Sequence, residues 1–237
     1  MNKRLKTRLL LLFLLMAGGA LCTVASAQGV SLSRTRVVFS ATDKVKTLSV
    51  RNSSGQRYLI QARSVAHADD RLTGPFMLTP PLFLLAAGQQ QILKIIPAKS
   101  DWPGEKESVS YLTVSAIPTQ NEEHWPADAS KLSLGFRFTI KIFYRPAHMA
   151  QTFEQAAASL QFSRKDHGLL VINPGGYFMT VARLRPQGSS TSVLSKPIMI
   201  PPGGRAFIPA NKKITKVSWR VINDYGVLSQ YYHNEGF

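Results

Sequence analysis

The stretch Leu132-Ser-Leu-Gly-Phe-Arg-Phe-Thr-Ile-Lys141 alternates apolar and polar residues without a break. Side chains along a strand point to opposite faces in turn, so Leu132, Leu134, Phe136, Phe138 and Ile140 share one face. Ser133, Gly135, Arg137, Thr139 and Lys141 share the other. Two readings fit this pattern. It is the core strand of an antiparallel sandwich, or it is an edge strand whose apolar row is lent to another protein. Alternation alone leaves both open.

The same period recurs along the chain. Residues 30–39, 46–52, 58–65, 76–79, 90–96, 108–117 and 131–144 read as strands. Turn signals separate them, such as Asn52-Ser-Ser-Gly55, Ala68-Asp-Asp-Arg71 and Trp102-Pro-Gly104. This density of short strands fits an immunoglobulin-like sandwich. Residues 118–130 are polar and acidic, and read as a solvated hairpin loop. Arg145-Pro146 ends the long strand, because proline removes a ladder donor and fixes a bend. A second set of strands is predicted over 160–162, 169–173, 178–185, 196–200, 205–208, 215–222 and 227–232. Residues 151–158 predict a short helical turn. The expectation is an all-β protein of two immunoglobulin-like sandwich domains, 28–145 and 146–237.

The first residues have a different character. Lys3, Arg4, Lys6 and Arg8 precede a short apolar run, and Ala25-Ser-Ala27 is a small-residue cleavage site. Residues 1–27 therefore read as a secretory signal, with cleavage expected after Ala27. The run is short for a membrane span, and no later segment is long and apolar enough to be one, so membrane insertion is not expected. Removing these four basic residues lowers the formal charge from +16 to +12. Export argues against nucleic acid as the reason for that charge; an acidic protein partner or solubility is the better reading.

The chain offers little for catalysis. Its one cysteine, Cys22, lies inside the signal, so the mature chain has no thiol chemistry and no disulfide. Bulky Leu21 argues against lipidation at Cys22. His67, His124, His148, His167 and His233 show no metal-ligand spacing, so no metal is expected. A nucleophile elbow, a zinc-protease helix and a phosphate loop are all missing. Neither an enzyme nor a cofactor is indicated.

Three separated motifs point in one direction. Ser31-Leu-Ser-Arg-Thr-Arg-Val-Val-Phe39 opens the first domain, Lys141-Ile-Phe-Tyr-Arg-Pro146 closes it, and Ile222-Asn-Asp-Tyr-Gly226 lies near the end of the second. Thr79-Pro-Pro-Leu-Phe83 with Gly88, Glu107-Ser-Val-Ser-Tyr111 with Ile117-Pro118, and Val171-Ile-Asn-Pro174 add to them. In this order and spacing the chain resembles the periplasmic chaperones of the chaperone–usher pilus pathway. Thr113 and Thr119 depart from the family's usual residues. The missing cysteines argue against the family's disulfide-bearing branch, whereas the connection before Leu132 is somewhat long for the short-loop branch.

The resemblance implies a boomerang-shaped pair of sandwiches in the periplasm. It implies that Arg36 and Lys141 bind the C-terminal carboxylate of a pilus subunit in the interdomain cleft. The row Leu132, Leu134, Phe136, Phe138 and Ile140 becomes a donated strand that completes the subunit's open fold. Glu107, Arg145 and Asp224 become an interdomain charge triad. The implied partners are pilus subunits, an adhesin and an outer-membrane usher. An exposed apolar edge strand separately predicts weak self-association of the free protein. The turn at Thr79-Pro-Pro81 permits a cis peptide. The rival reading, an exported two-domain structural subunit or adhesin, explains export and strand content but not these charges. An exported hydrolase with a sandwich fold explains less still.

Overall fold

A computed structural model describes residues 29–69, 72–102, 104–119, 135–165, 167–210 and 214–237. The signal segment, its cleavage site, most of the 118–130 loop, Leu132 and Leu134 lie outside the described residues.

The first domain packs two sheets. One has the order β1-β3-β7-β5, from Val30–Leu32, Lys46–Asn52, Gln90–Pro97 and Phe76–Thr79. The other has the order β2-β9-β8-β4-β6, from Arg36–Ser40, Phe136–Arg145, Ser108–Pro118, Tyr58–Val65 and Leu82–Leu85. The inward rows of both sheets make one apolar core that includes Val37, Phe39, Leu48, Ile60, Leu93, Leu112 and Ile142. That is the sandwich which period-two alternation demands once each sheet hides one face.

The second domain repeats the plan on a smaller scale. A short helix α1, Phe153–Ala158, precedes it, started by a capping box in which Thr152 and Gln155 bond each other's backbone. One sheet has the order β10-β11-β14, from Gln161–Lys165, Gly168–Ile172 and Arg205–Pro209. The other has the order β13-β12-β15-β16, from Ile198–Ile200, Met179–Pro186, Val217–Val221 and Tyr232–His233. Trp219, Leu169, Met179 and Leu184 centre its separate core. Among the described residues the molecule is thus all-β apart from α1, with two immunoglobulin-like sandwiches.

Three strand expectations need correction. Residues 30–39 are two strands in different sheets, because β1 pairs with β3 and β2 with β9. The apolar phase slips between Leu32 and Val37, and the chain uses Ser33, Arg34 and Thr35 to cross over. Leu82–Leu85, hidden behind two prolines, is a strand beside β4; the Thr79–Pro80 peptide before it is cis. Residues 227–232 form only a strand stub. Asn223 Oδ1 and the Val221 carbonyl accept the amides of Tyr225, Val227 and Ser229 and hold a turn there instead.

A fully buried asparagine fixes one turn in each domain. Asn52 Nδ2 donates to the carbonyls of Gln56, Leu85 and Ala86. Asn173 Nδ2 donates to those of Tyr177, Ile200 and Pro201 at 2.7, 3.1 and 3.0 Å. Through these bonds Asn173 shapes the 174–178 segment, which faces the first domain.

Candidate functional site

The parallel pair β2–β9 builds the site. Its register runs from Arg36↔Lys141 through Val37↔Ile142, Val38↔Phe143 and Phe39↔Tyr144 to Ser40↔Arg145. Val37, Phe39, Ile142 and Tyr144 point into the sandwich core. Strand alternation therefore turns Arg36, Lys141, Phe143 and Arg145 outward together, toward the second domain.

Arg145 is the tie across the domains. Its Nε and Nη2 donate to Glu107 Oε1 at 3.1 and 3.0 Å, and its Nη1 and Nη2 donate to Asp224 Oδ2 and Oδ1, each at 2.7 Å. The planar fork serves two carboxylates at once, a geometry that lysine lacks. The guanidinium carbon lies 4.9 Å from the ring centroid of Tyr177 and 5.9 Å from that of Phe153. Glu107 also accepts the Phe178 amide at 2.9 Å and donates its own amide to the Gly176 carbonyl at 2.8 Å. Its side chain is 2 % exposed, against 34 % for Asp224. Burial pushes the Glu107 carboxyl up, with Arg145 and the Phe178 amide opposing it. Burial also works against the charge on Arg145, yet the hydrogen bonds and charges of Asp224 and Glu107 hold that guanidinium above its usual value.

Arg36 and Lys141 lie four register positions away, at the other end of the β2–β9 pairing. Arg36 Nη1 donates to the Ile222 carbonyl at 3.2 Å, and the guanidinium sits 5.5 Å from the Phe143 ring centroid. Phe143 in turn meets Phe178 of the second domain at 6.0 Å. Arg36 Nε is buried and has no hydrogen-bond partner among the described residues. Neither cation is within ion-pair distance of a described carboxylate. Burial lowers the Arg36 guanidinium, with Asp224 and Glu107 acting the other way. Lys141 is lowered by burial first and then by Arg36. Two adjacent, partly desolvated cations with a spare donor make a ready receptor for an anion.

Beyond Lys141 the strand loses one neighbour. Phe136–Ile140 pairs with β8 on one side, from Ala116↔Phe136 to Leu112↔Ile140, while β2 no longer covers the other. This leaves a free ladder edge among the described residues. The apolar row there is graded. Ile140 is 8 % exposed and belongs to the domain's own core, Phe138 is partly buried against that core, and Phe136 is 44 % exposed. The row thus runs from the domain's own core at Ile140 to a nearly half-exposed end at Phe136.

Sequence reasoning did not find Phe143, Tyr177, Phe178 or the Ile222 carbonyl. Nor did the motif Ile222–Gly226 show why it ends on a glycine, a reason that the geometry supplies. The φ of Gly226 is +82°, and a Cβ there would run into Thr35 Oγ1, so only glycine lets the Asp224 loop approach the first domain.

Two sandwiches joined through a charged seam, with a cation pair at the start of an open strand edge, define a class of two-domain binding protein. Residues 29–150 match the model described as pili and flagellar-assembly chaperone, PapD N-terminal domain, and residues 155–233 match the pili assembly chaperone PapD, C-terminal domain. The chain belongs to this family of pilus-assembly chaperones. It is 35 % identical over 204 residues to chaperone protein FimC of Escherichia coli K12, covering 85 % of this chain and 82 % of that one. It is 32 % identical to chaperone protein FocC of Escherichia coli over 209 residues, 86 % and 89 % of the two chains. Among solved structures it resembles the Salmonella enterica SafA pilin in complex with the SafB chaperone, with a TM-score of 0.75, 30 % identity, and 89 % and 98 % coverage. The Escherichia coli chaperone DraB gives a TM-score of 0.75 at 27 % identity, covering 88 % and 98 %.

Proposed function

We propose that this chaperone captures pilus subunits, adhesin included, in the periplasm by lending them β9, and passes them to an outer-membrane usher. The observation that carries this reading is the coincidence of the Arg36/Lys141 pair with the first residue of the open β9 edge. A C-terminal carboxylate held by the two cations fixes the end of an incoming strand, and its register follows. That strand lies along Phe136–Ile140 and ends at Lys141. It therefore runs parallel to β9, on the path that β2 takes further on. Backbone pairing supplies affinity for many subunits, and the part of the β9 apolar row outside the domain's own core, led by Phe136, fills the groove of an incomplete sandwich. Leu132 and Leu134 extend this row in sequence. Each large side chain so buried contributes about 1.5–3 kcal/mol before ordering costs, so no nucleotide is required.

Glu107, Arg145 and Asp224 serve to hold the domains at the angle that keeps the receptor open. The domains are inferred to run from 28 to 145 and from 146 to 237; the two apolar cores, drawn from residues 30–144 and 153–232, support that division. Export uses residues 1–27, and mass spectrometry of the periplasmic protein should find Gln28 as the first residue.

The direct test is co-expression with a pilus subunit. The chaperone should elute as a soluble 1:1 complex and be absent from assembled fibres. Recovery of the chain in the fibre would assign it instead to the structural subunits.

A further inference from the structure

The outer face of the second domain's β13–β12–β15 sheet carries a cationic track on a different sheet from β9. Arg183 of β12 lies directly opposite Arg220 of β15, and Arg185 opposite Ser218, while Leu184 and Trp219 between them point into the core. Like charges directly opposite each other on a sheet are destabilising. No described carboxylate pairs with either arginine. The Tyr231 ring sits between two of the cations, 5.1 Å from the Arg185 guanidinium and 5.2 Å from that of Arg220. Arg220 is further pinned by the carbonyls of Ser229 and Leu228. Arg185 Nε is buried and, among the described residues, without a partner. The Arg185 and Arg220 guanidiniums are thus held in place, so an anion meeting them meets groups that have already lost their freedom.

At the end of the track is a pocket of about 330 Å³. Arg183 and Lys196 both line it, and so do the apolar side chains of Leu194, Ile222 and Leu228. Its size is at the small end of ligand pockets, enough for one anchoring side chain rather than a cofactor.

We propose that this face docks an acidic peptide segment of a partner protein, with one aliphatic side chain in the pocket and flanking carboxylates on Arg183, Lys196 and Arg220. An extended chain is favoured over a lone small anion because the cations continue past the pocket as far as Arg185 along the strand direction. The strongly basic balance of the chain adds long-range attraction for such a segment.

The test uses the full mature chain and a short fluorescein-labelled peptide of alternating Asp and Leu, followed by anisotropy. R183S/K196S should weaken binding at least tenfold, and S195W, which fills the pocket mouth, should do the same. R164S/K165S, which removes two exposed cations of β10 on the opposite sheet, should leave binding within twofold. R183S/K196S should keep the melting temperature and the capture of a pilus subunit, which separates this face from β9. Equal loss in R183S/K196S and R164S/K165S would reduce the effect to net charge and overturn the proposal. So would undiminished binding in R183S/K196S, which would move the peptide to another edge such as β9. Pelleting of the wild type, but not of R183S/K196S, with phosphatidylglycerol vesicles that displace the peptide would replace the acidic segment by a membrane surface and overturn it as well.

Discussion

At the scale of single residues, the proposed anchor is the cation pair Arg36 and Lys141. Arg36→Ala and Lys141→Ala should each abolish formation of the chaperone–subunit complex while leaving circular dichroism unchanged. Neither side chain belongs to the apolar core, but a desolvated carboxylate that loses one cation keeps its desolvation cost. Normal complex yield from both variants would remove the anchor role. Lys141 also sets a pH dependence. Burial and Arg36 place its ammonium below the ordinary lysine value in the folded chain. In the free protein the cost of keeping it charged is present below that lowered pKa. It disappears as pH rises through the window up to the unfolded lysine value near ~10.4, so stability on this account rises with pH there. Capture runs the other way, because the carboxylate needs the charged form. Complex yield should therefore fall as pH climbs through that window, and Lys141→Arg should shift the fall to higher pH. A flat profile up to the denaturation limit would show that Lys141 takes no part.

At the scale of elements, β9 runs from the domain core at Ile140 to a half-exposed, uncovered edge at Phe136. Phe136→Ser should leave the melting temperature of the free protein nearly unchanged and cut the yield of complex, since this ring is nearly half exposed and lies outside the core cluster. Ile140→Ser should lower the melting temperature strongly, because it opens the core and buries a hydroxyl, at a cost of about 2–4 kcal/mol. A large thermal loss from Phe136→Ser with normal capture by the folded fraction would return all of β9 to the domain core. The period-two pattern made most strands legible, because each sheet hides one face and shows the other. It could not divide the β9 row, since that division depends on where β2 stops covering the edge, a fact of tertiary structure. Leu82–Leu85 escaped notice because Pro80-Pro81 reads as an end, whereas the chain restarts in the other sheet. For the site, the charged residues could be named from motifs, but Phe143, Phe178 and the Ile222 carbonyl could not. Aromatic packing and a backbone acceptor carry no sequence signature of their own. The open edge has a further consequence. Unpaired strands seek partners, and the free protein should associate weakly through β9. Sedimentation over a concentration series should show a rising mean mass, reduced in Phe136→Ser, and a constant monomer mass would refute it.

At the scale of the whole molecule, the seam between the domains is built unevenly. Glu107 belongs to the first domain, yet it is fixed from both sides. Arg145 holds its Oε1, and its Oε2 and amide bond the Phe178 amide and the Gly176 carbonyl of the second domain. Asp224 reaches the first domain through Arg145, on a loop that also meets Thr35 at Gly226 and Arg36 at the Ile222 carbonyl. The same loop therefore touches the tie and the anchor. If Asp224 acts only as a surface ion pair, its loss is silent. If it positions the loop, its loss disturbs Arg36 as well as the domain angle. Asp224→Asn keeps the size and one acceptor while removing the charge. A fully buried partner lost in this way costs about 3–5 kcal/mol, but Asp224 is a third exposed, so about 1–2 kcal/mol is expected. The melting temperature should fall by only a few degrees. Domain orientation, read from residual dipolar couplings, should change or broaden, and complex yield should drop more than stability alone explains. Glu107→Gln, at 2 % exposure, should cost more stability. Unchanged couplings and full capture in Asp224→Asn would show that Glu107 and the 174–178 segment fix the angle without it.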